Sequence, residues 1–150
     1  MRVVIQRVSQ ASVSVNNEAV AVIEKGLVIL LGITAEDAIE DIEWLCNKIA
    51  KLRIFGDSEG LMNLSLQDVQ GDVIVVSQFT LFAQTKKGNR PSYITAARPE
   101  VAIPLYESFK NTLSEILNNP VQSGEFGADM QVSLVNDGPV TIIIDSKNRE

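Results

Sequence analysis

The sequence predicts an α+β fold, a single compact domain over residues 1–150 in which a mixed β-sheet packs with two amphipathic helices. Three observations lead to this prediction. Runs rich in β-branched residues occur near both ends of the chain and in its middle, and two segments of helical periodicity lie between them. No internal repeat, low-complexity tract or linker divides the chain, and its 150 residues are enough for one hydrophobic core.

The strands are placed by their apolar patterns and by the turns between them. We expect strands at residues 2–15, 19–23, 27–33 and 73–76, and a final hairpin with arms at 130–135 and 140–145. Asn16-Asn17 and Glu24-Lys25-Gly26 supply the first turns, and Asn136-Asp137-Gly138-Pro139 supplies the turn of the final hairpin. Residues 27–33 are apolar throughout, which predicts a strand buried on both faces.

The first helix follows Thr34-Ala35-Glu36-Asp37, which resembles a capping box with Asp in place of Glu. Its acidic residues from Glu36 to Glu43 are expected on a solvated face, near the helix amino end. Its apolar stripe consists of Ile39, Ile42, Leu45, Cys46, Ile49 and Leu52.

The second helix runs to about Leu117, and Pro99 and Pro104 leave its start open, because proline is tolerated only in a first turn. Its core stripe is predicted to be Leu105, Phe109, Leu113 and Ile116.

Composition excludes several kinds of site. The chain has no histidine, so a Ser-His or Cys-His nucleophile pair, a histidine general base and a histidine metal ligand are all excluded. The single cysteine, Cys46, has no partner for an internal disulfide and is interpreted as a core residue of a cytoplasmic protein. Calcium-loop, phosphate-loop and dinucleotide motifs are lacking, so we expect neither a metal nor another cofactor.

Net charge and hydropathy limit the kinds of partner that we expect for this protein. The net charge of −6 argues against a protein that coats nucleic acid by neutralising phosphates, and duplex DNA is not an expected partner. Arg7 interrupts the only short apolar run near the amino terminus, so no signal peptide is expected. No segment approaches the ~20 apolar residues of a membrane span.

The strongest functional signal is at the end of the strand at 73–76. Ser77, Gln78 and Thr80 place three hydrogen-bonding side chains there, with Phe79 between them. Polar side chains at the mouth of a buried strand are typical of a chemical site, although they also serve to satisfy neighbouring backbone groups. Without histidine, such a site depends on hydroxyls, amides, backbone groups or a group of the substrate.

A basic loop is the second signal. Lys86, Lys87 and Arg90 lie close together in a polar, irregular stretch. The loop is interpreted either as an ordinary surface loop or as a small patch that contacts phosphates and positions a substrate without reading its sequence.

Five motifs occur in order across essentially the whole chain. They are MRVVIQRV at 1–8, SQFTLFA at 77–83, GNRPS at 88–92, GEFGADM at 124–130 and NDGPVT at 136–141. Each is weak alone, but together they closely resemble the D-aminoacyl-tRNA deacylase family. Phe79 separates the chain from a related group of tRNA deacylases that has another residue at that position.

The resemblance implies a homodimer that hydrolyses the ester joining a D-amino acid to the terminal adenosine of tRNA, in chiral proofreading of translation. It implies that residues 77–80 line the pocket for the scissile ester. Gly138-Pro139, with a cis peptide bond, would enter the pocket of the other subunit, and Arg7 would brace that turn. Phe126 and Met130 fall where the family receives the terminal adenine.

Two mechanisms have been given to the family, with Thr80 as nucleophile or with the 2′-hydroxyl of the substrate's own ribose handling the proton. We favour the second, because Thr80 has neither a histidine nor an amino-terminal threonine arrangement to activate it. A Thr80-nucleophile esterase or amidase remains an alternative, as does a non-catalytic nucleic-acid-binding module that uses the basic loop.

Chirality is expected to follow from exclusion. If the main-chain carbonyls of Gly138 and Pro139 hold the substrate's ammonium group, an L side chain strikes the backbone and a D side chain points outward. Glycine, which has no side chain, should then be accepted.

Overall fold

Strand β1 (Arg2–Val15) organises the sheet, because it pairs with three other strands in the computed structural model, which describes residues 1–150. On one edge, its first half pairs antiparallel with β3 (Gly26–Gly32) and its second half with β2 (Glu18–Ile23). On the other edge, β8 (Met130–Asp145) runs antiparallel to it along its whole length.

Two parallel strands extend the sheet beyond β3. β6 (Asp72–Ser77) pairs with β3, and β7 (Gln122–Ser123) pairs with β6, which confirms the prediction of a mixed sheet. The Gln122 side chain then bonds the backbone of Val22 twice, donating at 2.7 Å and accepting at 2.8 Å. Through this contact β2, at one end of the strand order, is bonded to β7 at the other end.

Both faces of the sheet are buried near its centre. Leu27, Ile29 and Leu31 of β3 join a cluster of 21 buried residues that includes residues of the helices, and Val28 joins a second cluster of 8 that includes residues of β1, β2 and β6. This alternation confirms that the apolar run at 27–33 is a strand buried on two sides.

The two predicted amphipathic helices are present, and both pack into the same core cluster on one face of the sheet. They are α1 (Ile39–Lys51) and α3 (Pro99–Leu117), with Pro99 in the first turn of α3. The buried stripe of α3 is Ala102, Tyr106, Phe109 and Leu113. The predicted Leu105 and Ile116 lie only at the margin of this stripe, because the helix face is rotated by about one residue.

The remaining elements are short. β4 (Phe55–Gly56) pairs with β5 (Met62–Leu64), and the one-turn helix α2 (Leu66–Val69) follows. We did not predict α2, although Ser65 and Asp68 form a capping box: Ser65 Oγ accepts from the Asp68 N–H at 3.2 Å, and the Asp68 carboxylate accepts from the Ser65 N–H at 2.8 Å. None of the helices has the length and apolar character needed to cross a membrane.

The predicted hairpin at 130–145 was wrong. Both of its arms pair with β1, so the chain continues in one direction as the single strand β8. Between the pairs Gln6–Thr141 and Val8–Asn136 the register shifts, and residues 137–140 bulge out opposite Arg7. The segment Asn136-Asp137-Gly138-Pro139, although typical of a turn, thus contributes to a bulge and does not reverse the chain. The reason is that both arms pair with the same strand, β1.

The predicted start of α1 was also wrong. The Asp37 carboxylate does accept from the Thr34 N–H at 2.7 Å, but the helix begins only at Ile39, which is half exposed. Asp41 caps the helix in place of Asp37, because its carboxylate accepts a hydrogen bond from the Ala38 N–H at 2.9 Å.

Two acidic residues placed on a solvated face are in fact buried. Asp37 is 8% exposed and pairs with the ammonium group of Met1, and Asp41 is 4% exposed and pairs with Lys147 at 2.7 Å. The Met1 ammonium also donates to Ser146 Oγ at 2.8 Å. Paired carboxylates tolerate burial, and here their partners come from the two ends of the chain.

We predict that Asp41 makes the stability of the fold depend on acidic pH. Burial by itself raises the pKa of Asp41, but hydrogen bonds from Lys147, Ser146 and the Ala38 N–H outweigh it and lower the pKa from 3.8 to about 2. The folded protein therefore holds this proton less tightly than the unfolded chain. The stabilisation is present above pH 3.8 and is lost as the pH falls to about 2.

Urea unfolding of wild type and Asp41→Asn across this pH range measures the contribution. We expect Asp41→Asn to be less stable than wild type at neutral pH, and the difference between them to shrink towards pH 2. Glu40→Gln, which removes an exposed carboxylate from the same helical turn, is the matched control and should follow wild type. Parallel pH profiles for wild type and Asp41→Asn would contradict the prediction.

Candidate active site

A cleft of about 270 Å³ opens where β3 and β6 end. These strands are parallel, so their carboxyl ends meet at one edge of the sheet, where open sheets commonly bind ligands. Ser77 and Gln78 supply polar groups to the cleft, and ten of its thirteen lining residues are apolar. Such a surface suits a ligand with a flat apolar part and a few groups that need hydrogen bonds.

The polar end of the cleft is a tight turn. After Ser77 the chain forms a single 3-10 turn, Phe79–Phe82, and the Gln78 N–H donates to the Leu31 carbonyl at 2.8 Å. A Cβ atom on Gly32 would lie 3.0 Å from the Phe82 ring and 3.1 Å from the Gln78 carbonyl. The absence of a side chain at Gly32 therefore lets the turn fold back onto β3.

Arg2 holds the same turn from outside. Its Nη1 donates to the Leu81 carbonyl at 2.7 Å, and its guanidinium lies 4.8 Å from the centroid of the Phe82 ring. Asp145 fixes the guanidinium with a salt bridge of 2.9 Å. The turn is thus tied to the first residues of β1 and to the last residue of β8.

Thr80 lies in this turn with no base beside it. The Gln78 amide donates to Thr80 Oγ1, and no ionisable side chain is hydrogen-bonded to that hydroxyl. The single thiol is also unsuited to attack, since Cys46 is fully buried and burial raises its pKa to about 12. Its position confirms the interpretation of Cys46 as a core residue.

The apolar end of the cleft is built by Phe126 and Met130. The Phe126 ring meets the Tyr106 ring edge to face, with centroids 5.5 Å apart. Tyr106 is itself anchored, because its hydroxyl donates to the Val75 carbonyl at 2.9 Å; burial raises the pKa of Tyr106 to about 12. Met130 packs over Gly124, where a Cβ atom would overlap the Met130 sulfur.

Arg7, Gly138 and Pro139 form a second cluster that does not line the cleft. The Gly138-Pro139 peptide bond is cis, and Gly138 has φ +120°. Arg7 Nε donates to the Asp137 carbonyl at 3.2 Å and lies 3.1 Å from its carboxylate, and Nη1 donates to the Ile54 carbonyl. A Cβ atom on Gly138 would lie 2.8 Å from Arg7 Nη2, and the positive φ of this residue favours glycine irrespective of that contact.

The basic loop is a third feature, also outside the cleft. Gln84 and Ser92 close it with backbone hydrogen bonds of 2.8 and 3.0 Å, and Lys86 and Arg90 are exposed between them. Nowhere in the chain do three side chains of the His, Cys, Asp and Glu types come together as a metal-binding group.

The structure therefore divides the predicted site residues into three groups. Ser77, Gln78, Phe79, Phe126 and Met130 line the cleft, and Thr80 is bonded to Gln78 beside it. The other two groups are the Arg7 cluster and the basic loop. Sequence reasoning missed the apolar wall from β3 and α3, including Leu31 and Ala102, because such residues carry no chemical signal.

Comparison with known proteins identifies the family. The family model described as D-Tyr-tRNA(Tyr) deacylase matches residues 4–145. The chain belongs to the D-Tyr-tRNA(Tyr) deacylase family.

Relatives of this deacylase family align along the full chain. Proteins named D-aminoacyl-tRNA deacylase from Flavobacterium johnsoniae and Flavobacterium psychrophilum are 63% and 65% identical over 150 residues, covering 100% of both chains in each comparison. A solved structure described as c-Myc DNA Unwinding Element Binding Protein is 41% identical, with a TM-score of 0.91, and covers 97% of this chain and 98% of that one. Membership of a deacylase family makes the chain a hydrolase.

Proposed function

We propose that the chain hydrolyses the ester bond between a D-amino acid and the 3′-terminal adenosine of tRNA, in the cytoplasm, as a step of chiral proofreading. The observation that carries the proposal is the cleft in which Ser77 and Gln78 meet Phe126 and Met130, in a chain 63% identical to a protein named D-aminoacyl-tRNA deacylase. The apolar end, which includes the Phe126 ring, suits an adenine ring, and the polar end suits the ester.

The protein's part in the reaction is positioning. The N–H groups of Phe79 and Thr80 open the 3-10 turn, and the first amides of a helical turn have no partner within it. In the proposal they donate to the oxyanion that forms when water attacks the ester carbonyl, and one well-placed donor accelerates such a step by ~10²–10³.

The proton has to be handled by the substrate. Histidine is absent from the chain, and Thr80 Oγ1 has only the Gln78 amide beside it. The 2′-hydroxyl of the terminal ribose is adjacent to the ester at the 3′-oxygen, so it can relay a proton from the attacking water to that leaving oxygen. This reading favours substrate assistance over a Thr80 nucleophile.

The active unit is proposed to be a homodimer. Val132 of β8 lines the cleft and is 37% exposed, Ile143 is 68% exposed, and the Gly138-Pro139 bulge projects from the same strand. A second copy of the chain would cover these apolar side chains and bring its own bulge to the cleft. Carbonyls of the bulge would then hold the ammonium group of the substrate and exclude an L side chain.

A nucleic-acid-binding module is the second candidate, supported by the name of the 41% identical protein and by the basic loop. The net charge of −6 argues against it. Duplex DNA binding that weakens steeply with salt, in a preparation without deacylase activity, would favour this candidate over the enzyme.

We predict that removing the 2′-hydroxyl of the substrate is far more damaging than removing the Thr80 hydroxyl. Hydrolysis of D-tyrosyl-tRNA ending in 2′-deoxyadenosine should slow by orders of magnitude in single-turnover experiments, with little change in binding. Thr80→Ala should retain substantial activity, because its hydroxyl is at most a pocket wall or a donor.

Thr80→Val, which keeps the shape of the side chain, is the control for a packing defect in Thr80→Ala. A well-folded Thr80→Val protein without turnover, together with an acyl group trapped on Thr80 of wild type, would establish the nucleophile mechanism. An undiminished rate on the deoxy substrate would rule out substrate assistance.

We also predict that the protein hydrolyses glycyl-tRNA, since a filter that blocks L side chains has nothing to block in glycine. Gly138→Ala should impair turnover of both D-tyrosyl-tRNA and glycyl-tRNA, because its Cβ would lie 2.8 Å from Arg7 Nη2 and its φ of +120° is strained for alanine. Gly60→Ala is the control: Gly60 also has positive φ, but its Cβ would meet nothing within 4 Å. D-specific turnover without any glycyl-tRNA activity would contradict the exclusion model.

The cross-subunit arrangement predicts complementation. Ser77→Tyr should inactivate the cleft of its own chain by filling it. Gly138→Ala should distort the bulge that its chain inserts into the cleft of the partner. In an equal mixture after subunit exchange, half of the dimers combine an intact cleft with an intact bulge at one site, giving about a quarter of wild-type activity. Proven exchange without any recovery of activity would contradict the arrangement.

A further inference from the structure

An aromatic pair stands at the mouth of the cleft. The rings of Phe79 and Tyr93 meet edge to face, with centroids 5.1 Å apart and an interplanar angle of 79°. Phe79 lines the cleft, yet it is 55% exposed, and Tyr93 is 38% exposed. Apolar ring surface therefore continues from the cleft to the outside of the protein.

The backbone around Tyr93 is held in place on both sides. Ser92 pairs with Gln84 through hydrogen bonds of 2.8 and 3.0 Å, and the Ala96 N–H donates to the Tyr93 carbonyl at 3.0 Å. Thr95 Oγ1 donates to the carbonyl of Phe82, in the turn that follows Phe79, at 3.1 Å. A ring presented by such a fixed backbone loses little conformational entropy when a ligand stacks on it.

The charge beside the pair is positive in an acidic protein. Lys86, Lys87 and Arg90 lie in the loop closed by Gln84 and Ser92, directly before Tyr93, and residues 84–92 contain no acidic side chain. None of the three cations takes part in a salt bridge, although the chain as a whole has a net charge of −6.

We propose that Phe79 and Tyr93 form a stacking platform for the unpaired nucleotides that precede the terminal adenosine of tRNA. This inference rests on the proposed function, which puts the terminal adenosine in the cleft. The next nucleotides must leave by its mouth, where rings offer a stacking surface and the basic loop offers cations for their phosphates. Aromatic rings next to a cationic groove are the usual means of binding single-stranded nucleic acid without reading sequence.

The test compares two substrates, D-tyrosyl-tRNA and D-tyrosyl-adenosine, which lacks the preceding nucleotides. Tyr93→Leu should lower kcat/KM for the tRNA substrate about tenfold more than for the adenosine substrate, mainly through KM, since loss of one stacked base has roughly this effect. Tyr93→Phe retains the ring and should retain the wild-type ratio between the substrates. Ile94→Ala, which removes a neighbouring side chain that is 84% exposed, is the matched control and should also retain it.

Three outcomes would overturn the platform. An equal loss on both substrates would mean that Tyr93 only supports the Phe79 side of the cleft, and no loss on either would mean that its ring is not used. A Tyr93→Leu protein that sediments as a smaller species than wild type would assign the pair to the subunit interface. The proposed function is judged separately, because it fails only if the wild-type protein hydrolyses neither substrate.

Discussion

The pairing of β1 with β8 is the interaction on which the rest of the structure depends. It joins the first strand to the last along their whole lengths, from Arg2 opposite Asp145 to Val15 opposite Met130. Its one large irregularity lies opposite Arg7, where residues 137–140 leave the ladder, and Arg7 donates hydrogen bonds there to the carbonyls of Asp137 and Ile54.

The same pairing of β1 with β8 fixes both edges of the candidate site. Asp145 at the end of β8 holds Arg2 against the 3-10 turn, and Met130 at the start of β8 lies in the cleft wall.

A chain without histidine limits what this cleft can contribute. The groups near its polar end are a hydroxyl, an amide and the backbone of a tight turn, and none of them is a base at neutral pH. What the fold supplies is rigidity: Gly32 admits the turn, Arg2 holds it, and Leu31 fixes Gln78. Such a site is consistent with catalysis by positioning of the substrate, because preorganised hydrogen-bond donors stabilise a transition state without a charged residue of the protein.

Much of the fold could be predicted from local pattern, and two of the errors, the final hairpin and the solvated placement of Asp37 and Asp41, share one cause. Both long helices follow from helical periodicity, and the strands at 2–15 and 27–33 follow from their apolar patterns. The cleft residues Ser77 and Gln78 follow from polar groups at a strand end. Asn136-Asp137-Gly138-Pro139 has turn chemistry, but whether it reverses the chain depends on which strand each arm meets. Likewise, Asp37 and Asp41 are buried because Met1 and Lys147 reach them from the chain ends, which no local window contains.

The lining of the cleft by itself offers little basis for distinguishing mirror-image substrates. Its walls are mostly apolar, and a favourable apolar contact discriminates by only ~1–3 kcal/mol per methylene group. Strong discrimination needs a rigid obstacle placed where only one enantiomer carries its side chain. In the proposed dimer, the partner's bulge at Gly138-Pro139 would be such an obstacle, since Arg7 holds the bulge and it is exposed outside the cleft of its own chain. Chirality in the proposed reaction would therefore be a property of two chains, whereas the proposed ester site and the aromatic pair would belong to one.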